Sequence, residues 1–591
     1  MNKSRKHALS GRSIALIVAA ILFISGTMLV RTLDTNFGNV DVRHICYVDV
    51  QTGITYNALL FIPKTATSDT PAPIVVTQHG GSQTLTQMSA LNIELSRRGY
   101  VVLSYDNFGA GQSEPGGTRE SATDSAIAYL QTLSFVLPDQ IVMSGHSMGG
   151  TSSGTAAMRH ADCVKLCLAL GMNTREEVLH TNYAYVLGSH DASALARTKG
   201  NVRHIVDTES YRTLFGTDED IVVGKEYGNW ANGTGRIYMV SNTGHTWEPF
   251  DMLTIEYCLD VINRVIPNPN YIAPTSQIWM LQLLGMGLVL ASLFVFLFAI
   301  AAVFLKTKFF GKLILPVRKP VGFTPKTTPW YIAFAILIIV PAALYGACSS
   351  IMETNKIAWM KMNSTVNGIV VWHWITCVVY IVLFAVFHVV QGKKAGGNLM
   401  TYGLSTQEEF NAVGIGYILR SLLLAVCTLG STYALFLVYY EFTGESICFV
   451  KWCFNKIPTF NIGTFLLYSL LELPFPIMVG LCNRSISVNN GYRKDGKGMR
   501  SSIIVSLFVS SSGLVIFLMV FLANILLTGG ILFNANRGYI FFTGLSGTLL
   551  YIGMCGLVNC FITNKTNSIY AGTFAAAMLS ALSLVGNFPM G

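Results

Sequence analysis

Residues 141–153 read IVMSGHSMGGTSS. Ile141–Ser144 form an apolar, strand-like run, and 148–160 (MGGTSSGTAAMRH) can continue as a helix. Between them lies G-x-S-x-G, with Ser147 at the corner. Gly145 and Gly149 carry no Cβ, so they allow a strained strand-to-helix turn and a close strand–helix approach. The turn leaves the Ser147 hydroxyl at its tip, above a helix N-terminus that favours developing negative charge. In a chain this rich in Gly and Ser, chance would give such a match on the order of a few tenths of a time. The flanking strand and helix therefore carry the reading.

Working outward, short apolar runs alternate with amphipathic ones. RHICYVDV (43–50) and ITYNALLFIP (54–63) read as an opening pair of strands. PIVVTQH, YVVLSYD, QIVMSG, CVKLCLALGM, NYAYVLG and GRIYMVS follow as strands. Helical patterns cover TLTQMSALNIELSRRG, RESATDSAIAYLQTLSFV and a closing WEPFDMLTIEYCLDVINRVI (247–266). This alternation predicts a mostly parallel sheet with helices on both faces.

A serine hydroxyl needs a base to become a nucleophile. His245 lies after the last strand and before the closing helix, where such a base belongs. The base needs a carboxylate to orient it and stabilise its charged form. Asp191, just after NYAYVLG, is the leading candidate, ahead of Asp207, Asp218 and Asp220. Its neighbour His190 reads as a loop residue. An oxyanion requires two donors. The Met148 backbone N–H supplies one, and HGGS (79–82) supplies the other from Gly81 or Ser82. The alternative reading of HGG is a plain tight turn.

The order strand–HGG–DNFGAGQS–GHSMGG–GSHD–GH resembles the α/β-hydrolase superfamily, near its dienelactone hydrolase-like and small-esterase branches. The resemblance covers about residues 40–268. It implies a Ser147–Asp191–His245 triad, an acyl-enzyme and no cofactor. In YDNFGAGQSE (105–114), it implies that Asp106 and Gly109 shape a loop rather than react. It does not fix the substrate, since such enzymes cleave esters, amides, thioesters and peptides. Gly171 and Asn182 are only about ten residues apart, an ordinary connection, so no large lid is expected there. The longer segment 192–234 could lean over the site, with Tyr227 and Trp230 reading either as substrate contacts or as packing residues.

Composition divides the chain. Of 591 residues, 51% are hydrophobic and 12% charged, against about 25% charged in a typical soluble chain. We expect a basic N-terminus and retained membrane anchor (1–30), a globular α/β domain (31–275) and an all-α polytopic membrane domain (276–591). Apolar runs at 277–304, 330–348, 367–390, 418–440, 460–481, 501–527, 538–562 and 567–588 bring the expected total to about nine spans. The basic loops 306–326, 392–397 and 484–500 fall on one side, which places the N-terminus in the cytoplasm and residues 31–275 outside it. The net charge of +9 sits mainly at such boundaries and is no nucleic-acid signature. The expected partners are the lipid bilayer and a small-molecule or envelope acyl substrate. The 12 cysteines form no CxxC pair, which argues against zinc and thioredoxin-like chemistry. Cys448 and Cys453 share one loop, either as a disulfide or as two thiols.

Both tethers of the globular domain should leave from the edge opposite the site, so that Ser147 faces away from the bilayer. Glu472, in LLELPFPIM beside Pro474 and Pro476, suggests a broken membrane helix at a polar cavity, or else an ion pair or helix end. Three functions compete: a cell-surface esterase, an acyltransferase using the same acyl-enzyme, and a transporter or sensor with a hydrolase-like binding module.

Overall fold

A computed structural model describes residues 10–587 apart from 173–179, 199, 318–320, 325, 355–356, 358, 408–411, 450–451, 484–496 and 530–534. Helix α1 (Gly11–Asp34) precedes the antiparallel pair β1 (Val40–Val48) and β2 (Thr55–Pro63). Then come β3 (Ala72–Gln78), α2 (Ser89–Arg97), β4 (Val101–Tyr105), α3 (Arg119–Leu130), β5 (Val136–His146), α4 (Met148–Arg159), β6 (Val164–Leu170) and β7 (Asn182–Gly188). Short helices α5 (Ala192–Arg197) and α6 (Glu209–Phe215), edge strand β8 (Glu226–Tyr227), β9 (Arg236–Ser241) and α7 (Met252–Val265) complete this half.

The sheet order is β1-β2-β4-β3-β5-β6-β7-β9-β8, with β4 through β9 parallel. Its central strands are buried on both faces, as continuous Val, Ile and Leu runs require. One core packs the sheet against α3 and α4, and the other against α2 and α7. The architecture is the expected α/β-hydrolase fold. The closing helix starts later than expected. His245–Phe250 is a 3₁₀ turn containing Pro249, and Asp251 caps α7 by accepting the Thr254 N–H at 2.8 Å.

The second half contains α8 (Met280–Phe304), α9 (Thr328–Thr354), α10 (Ser364–Phe387), α11 (Ile415–Thr443), the hairpin β10 (Ile447–Phe449) and β11 (Trp452–Phe454), α12 (Ile462–Glu472), α13 (Pro474–Cys482), α14 (Lys497–Thr528), α15 (Ala535–Thr566) and α16 (Tyr570–Asn587). Among the described residues, eight helices are long and apolar enough to cross a membrane, against the expected nine. The run that falls short is α16, rich in Ala, Ser and Gly and buried along most of its length. Small side chains suit it to close helix packing. Helix α1 packs along α8, where a Cβ on Gly26 would lie 2.6 Å from the Gly285 carbonyl oxygen.

The two halves meet at the carboxyl ends of the strands, which overturns the expectation that Ser147 faces away. Cys448 and Cys453 stand opposite each other as two thiols rather than a disulfide, and both donate to Gln83 Oε1, at 3.6 and 3.2 Å. The Ser446 N–H donates to Thr86 Oγ1 at 3.0 Å, and Gln112 Nε2 donates to the Lys456 carbonyl at 2.6 Å. Helix α5, directly after Asp191, packs on α15, and Phe521 and Ile525 of α14 join the sheet's core.

The reason lies in the linker after α7, which doubles back along α2 instead of leaving the far edge. Arg98 donates to the carbonyls of Ile272, Ala273 and Ser276, and Glu94 Oε1 accepts the N–H groups of Ile278 and Trp279. Glu94 and Arg98 are themselves paired at 2.7 Å with fully buried side chains. Glu94→Ala strips the carboxylate from a buried guanidinium. Breaking such a pair costs about 3–5 kcal/mol, and thermal unfolding of the full chain should show a correspondingly lower midpoint.

Candidate active site

Register sets the stage. Gln78 of β3 pairs with Gly145 of β5, and His146 pairs with Leu170 of β6, so three strand tips converge around Ser147. Ser147 caps α4 at φ 55° and ψ −118°, a conformation that costs a non-glycine residue about 1–3 kcal/mol. The turn is held from outside: the Ser147 N–H donates to the Leu170 carbonyl at 2.7 Å. Both flanking glycines are required. A Cβ on Gly145 would lie 2.3 Å from the Gly149 backbone, and one on Gly149 would lie 2.3 Å from the Gln78 carbonyl oxygen.

His245 Nε2 lies 3.0 Å from Ser147 Oγ, and His245 Nδ1 lies 2.7 Å from Asp191 Oδ2. A carboxylate only accepts, so His245 donates from Nδ1 and leaves Nε2 to take the serine proton. Asp191 follows β7 and is fixed by accepting the Ala194 N–H at 2.9 Å on its other oxygen. All three side chains are buried. The structure thus brings together Ser147, His245 and Asp191, as the sequence predicts.

The rival carboxylates lie elsewhere. Asp207 pairs with His204, Asp220 lies 3.6 Å from Arg212, and Asp218 is exposed. His190 bonds to Ser189 Oγ rather than to Ser147. Trp230 and Tyr227 sit at the opposite edge, beside the first residues of β7 and β9. A Cβ on Gly235 would lie 2.3 Å from the Trp230 ring, so Trp230 packs there, away from substrate.

The oxyanion-hole candidates adjoin the nucleophile. Met148 is the first residue of α4, where a backbone N–H has no acceptor within the helix. The loop 79–82 lies directly opposite. A Cβ on Gly80 would sit 3.2 Å from Ser147 Cβ, and one on Gly81 would sit 2.7 Å from Met148 Sδ. The Gly80 N–H is committed to Gln87 Oε1 at 2.7 Å. Ser82 adopts φ 58°, which turns the chain sharply at this point. Asp106 is structural, as the resemblance implies: it accepts the N–H groups of Leu85 and Gln112 and the Asn57 amide.

Sequence reasoning missed His146 and Glu248. Gln87 Nε2 donates to His146 Nδ1 at 3.1 Å. His146 Nε2 donates to the His245 carbonyl at 2.8 Å and lies 3.1 Å from Glu248 Oε2. Glu248 Oε1 accepts the Gly188 N–H at 2.7 Å. A continuous chain of bonds therefore links Gly80, Gln87, His146 and the loop carrying His245. The only sequence signal for Glu248 was its place three residues after His245, which also fits an acidic first turn of a helix.

Burial, reinforced by the charge on Asp191, raises the Glu248 carboxyl well above its ordinary range despite the Gly188 N–H. The folded chain then holds a proton that the unfolded chain releases near pH 4.5. The sign follows: this contribution to stability is complete below the unfolded value and lost as pH rises through the folded one. Glu248→Gln should therefore flatten the decline of the melting midpoint between pH 5 and alkaline pH. A parallel decline in wild type and variant contradicts this assignment.

Residues 69–177 match the family model described as serine aminopeptidase, S33. No curated protein matches the chain. Among solved structures, a Vigna radiata epoxide hydrolase mutant is 20% identical, with 23% of this chain covered and a TM-score of 0.19. The chain spans only 40% of that protein's length. A Klebsiella pneumoniae protein described as a dienelactone hydrolase is 13% identical, with 38% of this chain and 97% of that one covered, at TM-score 0.27. A ferulic acid esterase is also 13% identical, with 39% and 99% covered, at 0.28. The sheet order and the elbow define the class of fold, an α/β hydrolase fold carrying a Ser–His–Asp arrangement, and the family match falls on the segment that holds the elbow. This fold is joined in one chain to a helical region with membrane-length apolar helices.

Proposed function

We propose that the protein is a membrane-bound serine esterase, acting on carboxylic esters through an acyl-enzyme at Ser147. The observation that carries this reading is the unbroken relay from Ser147 Oγ to His245 Nε2 at 3.0 Å and from His245 Nδ1 to Asp191 Oδ2 at 2.7 Å. His245 removes the serine proton as Oγ attacks the ester carbonyl, and Asp191 stabilises the imidazolium. The oxyanion is held by the Met148 N–H and by a donor from Gly81 or Ser82. His245 then protonates the departing alkoxide, and water reverses the sequence to release the acid.

The division into an anchor (1–30), a catalytic domain (31–275) and a membrane domain (276–591) is part of this reading. So is an extracytoplasmic catalytic domain, which rests on the basic loops 306–326, 392–397 and 484–500. The loops around Ser147 pack against the helical region, which favours substrates presented near the membrane surface. The test is hydrolysis of aryl and alkyl esters by the full-length chain in nanodiscs, with amide isosteres in parallel. Turnover of the esters with an acylated Ser147 intermediate supports the assignment. Turnover confined to the amides, or none at all by protein with the wild-type fold, refutes it.

A further inference from the structure

The helical region contains a second polar centre that the esterase reading does not use. Its backbone origin is the break between α12 and α13, where Leu473 separates Glu472 from Pro474. Proline lacks an N–H, so Pro474 and Pro476 remove the i−4 bonds to the Leu470 and Glu472 carbonyls and weaken the helical ladder, and side chains of neighbouring helices brace the backbone on either side. Trp374 Nε1 donates to the Leu471 carbonyl at 2.8 Å, and Asn559 Nδ2 donates to the Pro476 carbonyl at 2.9 Å. The break is thus held in place, and it presents Glu472 to a cavity among α9, α10 and α12–α16.

Glu472 is completely buried. Its Oε2 accepts from His373 Nδ1 at 2.7 Å and from Ser580 Oγ at 2.8 Å. Among the described residues its Oε1 has no partner, and neither does His373 Nε2, which is buried. Trp372, Tyr380, Phe475 and Tyr551 line the same cavity, and the His373 ring stacks on Phe475 at 4.1 Å. Among the described residues no Lys or Arg lines it. The remaining ionisable groups facing it are Tyr380 on α10 and Tyr551 and Cys555 on α15, a set of phenols and one thiol that are ordinarily neutral near pH 7. With His373 neutral, the cavity therefore carries one uncompensated negative charge. A buried charge of that kind costs several kcal/mol unless a cation joins it. Either a proton on the His373–Glu472 pair or a bound cation supplies that charge. Aromatic walls around a single carboxylate suit an organic cation, through ring faces and apolar contact, better than a bare metal ion that needs several oxygens.

We propose that this cavity binds a small organic ammonium ion at Glu472 Oε1, in exchange for the proton on the His373–Glu472 pair. One positive charge enters and one proton leaves the imidazolium for solvent, so the charge of the cavity is unchanged. This site is independent of Ser147.

The test is isothermal titration calorimetry of the full chain in phosphatidylcholine–phosphatidylglycerol nanodiscs, with n-propylammonium chloride as probe. Sodium chloride and n-propanol are titrated in parallel. The expected result is saturable binding of n-propylammonium alone. Binding should release a proton, visible as a dependence of the heat on buffer ionisation. Glu472→Gln should weaken binding at least tenfold, with its fold checked by circular dichroism and gel filtration. His373→Gln keeps the carboxylate and removes the competing proton, so binding should persist without the proton release. No saturable binding, equal binding of sodium or propanol, or full affinity in Glu472→Gln overturns the proposal. Should Glu472→Gln fail to fold, the wild-type buffer series decides: a binding heat independent of buffer ionisation overturns the exchange.

Discussion

Asp191→Asn should lower kcat for ester hydrolysis by about 10⁴-fold while leaving the fold intact. Asp191 Oδ2 accepts from His245 Nδ1 at 2.7 Å, and its other oxygen accepts the Ala194 N–H at 2.9 Å. An amide nitrogen placed toward His245 donates where the carboxylate accepted. It forces the imidazole to carry its proton on Nε2, the atom that must receive the serine proton. The substitution also removes the charge that stabilises the imidazolium. Esterase kinetics with a soluble aryl ester, alongside a circular dichroism spectrum, check both halves of this expectation. A loss of less than about tenfold would move the acid to another residue, and Glu248, 3.8 Å from His245 Nδ1, is the carboxyl within reach.

Ser147→Ala should lower kcat by about 10⁶-fold, because no other hydroxyl replaces the nucleophile. The residual rate over water would come from the oxyanion donors and substrate binding. Adding His245→Ala to Ser147→Ala should change little further, since the two act as one unit. The measurement is kcat for the single and double variants. Multiplying losses would mean that His245 serves something other than Ser147.

Much of this site was legible because its signals are local. Gly145 and Gly149 mark a turn whose steric demand is fixed by neighbours in sequence, and His245 and Asp191 each follow a recognisable strand. The chain order Ser, Asp, His then leaves few alternatives. Glu248 was not legible, because its role depends on Gly171 and Gly188 approaching from other strands. A Cβ on Gly171 would lie 1.9 Å from Glu248 Oε2, a contact that no sequence spacing reveals.

The direction in which the site faces was not legible either. It is decided by two charged residues, Glu94 on α2 and Arg98 at its C-cap, which look like ordinary surface positions in sequence. Folded, they are buried and hold the linker to α8 against the domain. Hydropathy located the membrane-length helices, because that property sums along one segment. Among the described residues α16, rich in Ala, Ser and Gly, is the one expected run that is not among them. Glu472 was legible as a buried carboxylate beside two prolines. Its partners His373 and Ser580 come from helices about a hundred residues away on either side, so only the fold could supply them.

The central claim is that Ser147 is a nucleophile activated by His245. Fluorophosphonate labelling of the full-length chain in nanodiscs, followed by peptide mass spectrometry, tests it most directly. One adduct on Ser147, absent from Ser147→Ala and strongly slowed in His245→Ala, is the predicted result. Equal labelling of wild type and Ser147→Ala, or an adduct on another residue, would contradict it.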